Sequence, residues 1–362
     1  MTKKIIKIAG AGIAGLTAAI NLAKADYKVE IYERSDVSGK RFHGDFQGIE
    51  NWSFKKNALD FLKQANIEIN FDCTDLTNVS AWGPDDFQQT YQLSRPVLYL
   101  VKRGVEKGCL DYGLQQQISN YKNIKILYNK PVKTSEVDIV ATGPFRKDPY
   151  TNVLAGGYTF NTNIKDCGIL IFDDECAPDG YSYFLVHNHY GVIATCFFEK
   201  FNQLSEFRDK TLALCQKHIK FEMHNIKEFS GIGNFFLSKI PTDKKIYIGE
   251  AGGVQDYLWG FGMRYAVLTG YLAAKSIIED KDYYAMYQKQ ILPKLKVSIS
   301  NRLTFKLMGK RGYRAFINRF TKSEDPVNEL GRLYNPSLPK TLLYPIARAV
   351  YQKHVKDPRK LD

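Results

Sequence analysis

The segment Ile5-Ile-Lys-Ile-Ala-Gly10-Ala-Gly12-Ile-Ala-Gly15-Leu16 constrains what this chain can fold into more than any other feature. An apolar strand runs into three glycines spaced G-x-G-x-x-G, and these open a helix of small and apolar residues. A second strand, Val29-Glu-Ile-Tyr32, ends on the acid Glu33. Each part has a physical task. Gly10 permits a tight turn off the strand, Gly12 lets the backbone approach a pyrophosphate, and Gly15 lets helix and strand pack closely. The first N–H groups of a helix, here from Ile13 and Ala14 onward, have no intrahelical partner and bind phosphate oxygens, aided by the helix dipole. Glu33 is placed to accept hydrogen bonds from ribose hydroxyls, with Arg34 beside it. Strand, glycines, helix, strand and acid in register predict a dinucleotide-binding βαβ unit. The competing reading is a glycine-rich βαβ turn that holds no ligand.

The 362 residues suffice for two domains and a large core. Six cysteines (Cys73, Cys109, Cys167, Cys176, Cys196, Cys215) are scattered without a C-x-x-C pair. That spacing argues against a zinc or iron–sulfur site, so no metal is expected, and it suits a reducing cytoplasm. The nucleotide strand begins at Ile5, where a cleaved secretory signal would destroy the motif. No run of apolar residues is long enough to span a membrane.

Charge is unevenly distributed. The chain carries a net +13, and residues 294–362 hold 16 Lys or Arg against 5 Asp or Glu, a net of +11. Residues 289–322 contain ten bases and no acid, interleaved with Leu295, Val297, Leu303, Phe305, Leu307, Met308, Tyr313, Phe316, Ile317 and Phe320. A basic stretch with apolar residues at helical spacing predicts an element lying on an anionic membrane surface, peripheral on its cytoplasmic face. The alternative is a solvated helix whose apolar side packs on its own domain. Nucleic acid is not an expected partner, because no nucleic-acid module accompanies the charge.

Helical patterns at 54–65 and 109–119 alternate with short buried strands at 123–127 and 137–141, the latter running into Ala141-Thr-Gly143. Runs at 168–172, 181–186 and 191–198 are β-like, 203–219 helical, 245–249 a strand and 262–280 a helix. This order predicts an α/β fold: a Rossmann-like dinucleotide-binding domain (1–80, 100–150, 236–282), an inserted β-rich domain (81–99, 151–235) and a basic helical C-terminal region (283–362). A second constellation, Gly249-Glu250-Ala-Gly-Gly253 and Gly260-Phe-Gly262-Met263, puts a carboxylate and a helix start after a strand. Glu250 there can bond a polyol chain. The positive helix end would stabilise the anionic edge of a reduced isoalloxazine. A purely structural strand–loop–helix with Glu250 solvated is the alternative.

These residues resemble the FAD-dependent oxidoreductases of the geranylgeranyl reductase family, within the fold group that holds the aromatic hydroxylases. The likeness runs through the N-terminal fingerprint, Ala141-Thr-Gly143, and Gly249-Glu250-Ala-Gly-Gly with Gly260-Phe-Gly262-Met263. Arg103-Gly104 with Leu110-Asp111 is similar to the segment before the family's flavin-flanking helix. Gly180-Tyr181-Ser-Tyr183-Phe-Leu-Val resembles the family's Y-x-W-x-F-P motif, and Arg311-Gly-Tyr-Arg314 its lipid-reductase tail. The family usually carries Asp at Glu250, Pro at Tyr257 and G-E-G at Gly260-Phe-Gly262, and some members a cysteine at His43.

The resemblance implies non-covalent FAD at Gly10, Gly12, Ile13, Ala14, Gly15, Glu33, Arg34, Arg41, Arg103, Gly143, Gly249, Glu250, Gly260, Gly262 and Met263. It implies hydride transfer between flavin N5 and a C=C/C–C unit of a lipidic or isoprenoid substrate, with Tyr181, Tyr183 and Trp259 at the substrate. His43 is the candidate proton donor near neutral pH, the competing reading being a packed or solvated histidine. No second G-x-G-x-x-G unit is found, so electrons would come from a partner protein or a transient NAD(P)H. Two alternatives stand beside this one. The first is an FAD monooxygenase or hydroxylase of an apolar or aromatic small molecule. The second is a flavin-free chaperone of prenylated clients, against which Glu33 and the intact glycines weigh. A halogenase would show a lysine-bearing W-x-W-x-I-P motif, which the sequence lacks.

Overall fold

A computed structural model describes residues 4–145, 151–237 and 245–351. The end of the expected basic tail (352–362) and three stretches of the expected FAD domain (1–3, 146–150 and 238–244) lie outside the described residues.

The βαβ unit forms as expected, with β1 (Ile6–Ala9), α1 (Ile13–Lys24) and β2 (Val29–Tyr32). Next come β3 (Phe46–Glu50), α2 (Ala58–Gln64), β4 (Cys73–Leu76), β5 (Asn78–Trp82), β6 (Gln88–Gln92) and β7 (Leu98–Lys102). They are followed by α3 (Leu110–Ser119), β8 (Ile124–Leu127) and β9 (Ile139–Val140). The β-rich part holds β10 (Val153–Asn161), β11 (Cys167–Ile171), β12 (Tyr181–His187), β13 (Tyr190–Phe197), α4 (Leu204–His218) and β14 (His224–Gly233). The chain returns through β15 (Ile246–Tyr247) to α5 (Met263–Ile278), α6 (Tyr283–Gln290), α7 (Leu292–Arg319), α8 (Pro326–Leu333) and α9 (Leu338–Val350).

These strands build three sheets. The first is five-stranded and parallel, in the order β15-β9-β1-β2-β8. Ile6, Ile8, Val29, Ile31, Ile139 and Val140 are buried in it, the pattern of a parallel sheet covered on both faces. The second sheet is seven-stranded, in the order β14-β10-β13-β12-β11-β5-β6, and antiparallel except where β11 meets β5. The third, β3-β7-β4, is antiparallel. The domain boundary expected at 80/81 therefore falls inside β5, and the one at 99/100 inside β7. Helix α2 starts at Ala58 rather than 54, because the Asn57 side chain accepts from the N–H groups of Leu59 and Asp60 and caps it.

Small residues let α1 and α5 approach closely. A Cβ placed on Gly270 of α5 would lie 2.4 Å from the Ala14 carbonyl oxygen of α1. Helix α7 then bridges two hydrophobic cores. Leu295, Ile299 and Leu303 sit in the core of the parallel sheet, whereas Phe305, Tyr313 and Ile317 sit in the core beneath the β-rich sheet.

This placement corrects the expectation that 289–322 lays its apolar side on a membrane. Leu295, Val297, Leu303, Phe305, Tyr313, Ile317 and Phe320 are buried in the protein itself, Met308 and Phe316 pack part-buried against the same core, and Leu307 is the one of the ten that is exposed. Its bases are largely engaged as well. Lys306 pairs with Asp179 and Glu199, Lys310 with Glu175, Arg314 with Asp85 and Arg319 with Glu329. Arg302, buried, donates to the carbonyls of Leu258 and Asp179. Lys294 donates to the Tyr334 carbonyl, and burial pulls its pKa down to about 8. The acids and carbonyls that meet these bases come mostly from other elements of the fold, so the local charge run misrepresents the net field of the surface. No described helix is long and apolar enough to cross a membrane.

Candidate functional site

Neighbouring parallel strands deliver their turns to one sheet edge. In register, Ala9 of β1 lies beside Tyr32 of β2 on one side and Val140 of β9 on the other, and Val140 lies beside Tyr247 of β15. Glu33, Gly10–Gly12, Ala141–Gly143 and Gly249–Glu250 follow these positions. They therefore line up across three strand spacings, about 14 Å. The chain winds outward from β1 through β2 to β8 and then returns to β9 on the other side of β1. A crevice at such a reversal is where open α/β sheets take ligands.

The three glycines of the fingerprint divide by role. Gly10 has φ +102°, and a Cβ on it would lie 2.3 Å from the Ala141 carbonyl oxygen. A Cβ on Gly15 would lie 2.1 Å from the Gly10 carbonyl oxygen. The fold itself requires these two. Gly12 has φ −85°, open to any residue, and a Cβ there would meet nothing within 4 Å. Open space thus faces the start of α1, where no side chain caps the helix. Leu16 is the residue whose N–H bonds back to the Gly12 carbonyl, so the N–H groups of Ile13, Ala14 and Gly15 have no intrahelical acceptor. Glu33 borders this space. One carboxylate oxygen accepts from the Ala11 N–H and the other from the Ser35 N–H, both at 2.9 Å. The acid thereby holds the glycine turn, and its remaining lone pairs stay open to hydroxyls. Arg34 is exposed beside it.

Further along the edge, Arg41 Nη2 donates to Glu250 Oε2 at 2.9 Å. Gly143 lies under the same guanidinium, with its would-be Cβ 3.5 Å from Arg41 Nη1. The structure therefore brings Arg41, Gly143 and Glu250 together although they span more than two hundred residues. Gly249 is tied to α5 by its N–H, which donates to Thr269 Oγ1 at 3.0 Å.

The start of α5 is also uncapped by any side chain at Gly262. A buried network that the sequence did not single out shapes its approach. Asp256 accepts from the Trp259 N–H at 2.7 Å, Ser298 Oγ at 2.7 Å and the Tyr334 hydroxyl at 3.1 Å. Gln255 Nε2 donates to the Gly260 carbonyl at 2.7 Å. Nearby, burial pushes Glu50 up to about 7, opposed chiefly by Arg264. Glu50 and Asp256 sit next to apolar residues in sequence, and only that adjacency hinted at burial.

Other expected residues occupy mixed surroundings. Arg103 is buried, with a two-pronged 2.8 Å pair to Asp111, a bond to Gln47 and its guanidinium 3.7 Å from the centre of the Phe42 ring. It supports the 42–47 segment from within. His43 is exposed, and its N–H donates to buried Asp45. Tyr181, Tyr183 and Trp259 do meet. The Tyr181 hydroxyl donates to the Trp259 carbonyl at 2.9 Å, its ring lies edge-on to Trp259 at 5.7 Å, and Tyr183 is 6.1 Å away. Trp259 packs on Phe172 and Phe305 of the core, and burial raises both tyrosine pKa values well above normal.

Residues 8–58 match the NAD(P)-binding Rossmann-like domain. No curated protein is similar in sequence to this chain. In three dimensions it is similar to a geranylgeranyl bacteriochlorophyll reductase-like protein from Thermoplasma acidophilum, with TM-score 0.69 and 13% identity over 97% of this chain and 100% of that one. A flavin-dependent brominase superposes with TM-score 0.66 and 13% identity, covering 97% of this chain and 99% of its own. A probable FAD-dependent monooxygenase from Pseudomonas aeruginosa gives TM-score 0.60 and 14% identity, covering 87% of this chain and 100% of its own. The shared fold is a Rossmann-like parallel sheet with an additional β-rich sheet and C-terminal helices.

Proposed function

We propose that this chain is an FAD-dependent oxidoreductase that acts on a lipidic or isoprenoid substrate. The observation that carries the flavin is the open space at Gly12, faced by three N–H groups without intrahelical acceptors and bordered by Glu33. A glycine the fold does not need, beside a helix start no side chain caps, fits a pyrophosphate. Ile13, Ala14 and Gly15 would hold it, Glu33 a ribose, and Glu250 the polyol chain, with Arg41 passing from Glu250 to the phosphates. The uncapped start of α5 at Gly262 and Met263 would lie at the ring. FAD bound there supplies hydride transfer between its N5 and a C=C/C–C unit of the substrate.

Tyr181, Tyr183 and Trp259 provide apolar area on the β-rich side, and the raised tyrosine pKa values keep both phenols neutral. His43, exposed on the segment that Arg103 supports, would be the proton donor. Electrons would arrive from a partner protein or a transient NAD(P)H. The similarity to a monooxygenase keeps a second reading in play, hydroxylation of an apolar or aromatic molecule.

The deciding experiment purifies the protein and records its visible flavin spectrum. It then photoreduces the flavin anaerobically and adds a polyprenyl lipid. Reoxidation by the lipid is the expected result. Absence of flavin from folded protein would overturn the cofactor assignment. Indifference to unsaturated lipids with NADPH-dependent turnover of a small phenol would favour hydroxylation.

A further inference from the structure

Nine large apolar side chains are exposed among the described residues, and four of them lie on one helix. Leu338, Leu342, Ile346 and Val350 of α9 are exposed by 73%, 67%, 59% and 50%. Their spacing of four places them in one stripe along a helix about 20 Å long. Thr341, Pro345 and Ala349 fill the same exposed face without charge, and Arg348 is the charged side chain exposed on this helix.

The opposite face is fixed to the protein. Ala347 is buried, Lys296 of α7 lies over the Tyr344 ring at 5.5 Å, and Ser300 Oγ donates to the Lys340 carbonyl at 3.0 Å. Lys340 Nζ in turn donates to the carbonyls of Leu333 and Asn335, at 2.6 and 3.0 Å, where α8 ends. The stripe is therefore displayed by an anchored helix with its inner face satisfied. Between Glu329 and Asp357 the sequence has no acid and carries Arg332, Lys340, Arg348, Lys353 and Lys356.

We propose that α9 docks this protein on an anionic bilayer. It lies in the membrane plane with Leu338, Leu342, Ile346 and Val350 in the boundary between headgroups and acyl chains. The occupant follows from shape and charge. A stripe of exposed aliphatic side chains along one helix suits a lipid boundary. Arg348 is exposed beside the stripe, and the sequence around α9 has five bases and no acid from 330 to 356, a balance that a negative leaflet attracts. A second copy on the same stripe would set two such basic segments against each other. The contact differs from the one expected at 289–322, whose apolar side is core, and it holds whatever substrate the enzyme takes.

The test co-sediments the full chain with vesicles of phosphatidylcholine alone or phosphatidylcholine mixed with phosphatidylglycerol. Binding should favour the mixed vesicles and fall with added salt, as screening shortens the reach of the charges. The double variant Leu342→Glu/Ile346→Glu should bind them at least about tenfold more weakly. Its melting temperature should match that of the wild type, since both positions are exposed. The proposal is overturned if the wild type ignores the mixed vesicles, prefers neutral ones equally, or loses nothing on double substitution. A dimer in solution that the double variant converts to monomer would equally overturn it, in favour of a second copy.

Discussion

Substituting Gly12 and Gly15 separately distinguishes a glycine kept for a ligand from one kept for the fold. For Gly12→Val, φ is −85° and the new Cβ meets no atom within 4 Å. Losing glycine at a helix start costs up to about 1 kcal/mol. Restricting the unfolded chain returns about 0.4–1 kcal/mol. The two offset, and the melting temperature should move by no more than about 3 °C. Binding should respond very differently. The valine side chain fills the space a pyrophosphate needs in order to reach the N–H groups of Ile13, Ala14 and Gly15. Charge-assisted bonds of this kind are worth about 1.5–3 kcal/mol each. Losing two weakens FAD by about a hundredfold to ten-thousandfold.

Gly15→Ala should do the reverse. Its Cβ would lie 2.1 Å from the Gly10 carbonyl oxygen, so helix and strand must separate. That overpacking costs about 3 kcal/mol or more, and the fold suffers before binding can be measured. The assay pairs thermal melting monitored by circular dichroism with titration of apoprotein by FAD, followed through quenching of flavin fluorescence. A Gly12→Val protein that folds and keeps wild-type FAD affinity would refute the reasoning. So would one that melts well below the wild type.

Removing Glu250 with Glu250→Ala should reduce FAD affinity about tenfold, while stability changes by less than about 1 kcal/mol because its Arg41 partner is part-exposed; equilibrium dialysis reads the first and urea unfolding the second. Glu50 has a folded pKa of about 7 against an ordinary 4.5, so the folded state binds more protons than the unfolded one between those values. Stability must therefore fall as pH rises from 4.5 to 7, by up to about 3 kcal/mol. Glu50→Gln should remove that component of the slope in urea titrations across the range, and an unchanged slope would show the carboxyl to be ordinary. Tyr183→Ala should spare the flavin spectrum and lower turnover of an unsaturated lipid at least about tenfold, at a stability cost of about 2 kcal/mol; full activity would remove Tyr183 from the substrate side.

The fingerprint from Ile5 to Glu33 was legible in the sequence because its causes are local. Steric limits at Gly10, close packing at Gly15 and unbonded N–H groups at a helix start act within a few dozen contiguous residues. The alternation of strands and helices followed from contiguous runs, whereas the meeting of Tyr181 and Tyr183 with Trp259 was set by tertiary packing. The Arg41–Glu250 pair was not legible, because strand order alone sets the two side by side. Nor was the burial of Glu50, Asp256 and Arg103, since a charged residue next to apolar ones reads the same at a surface as in a core. The fate of 289–322 shows the limit most clearly. A helical period tells that an apolar face must be covered and is silent on what covers it. Only the packing of α7 against both cores buried most of that face, and the fold's own acids, Asp85, Glu175, Asp179, Glu199 and Glu329, answered several of its bases. Among the described residues, the apolar stripe left open to solvent lies instead on α9, and only the tertiary structure shows it.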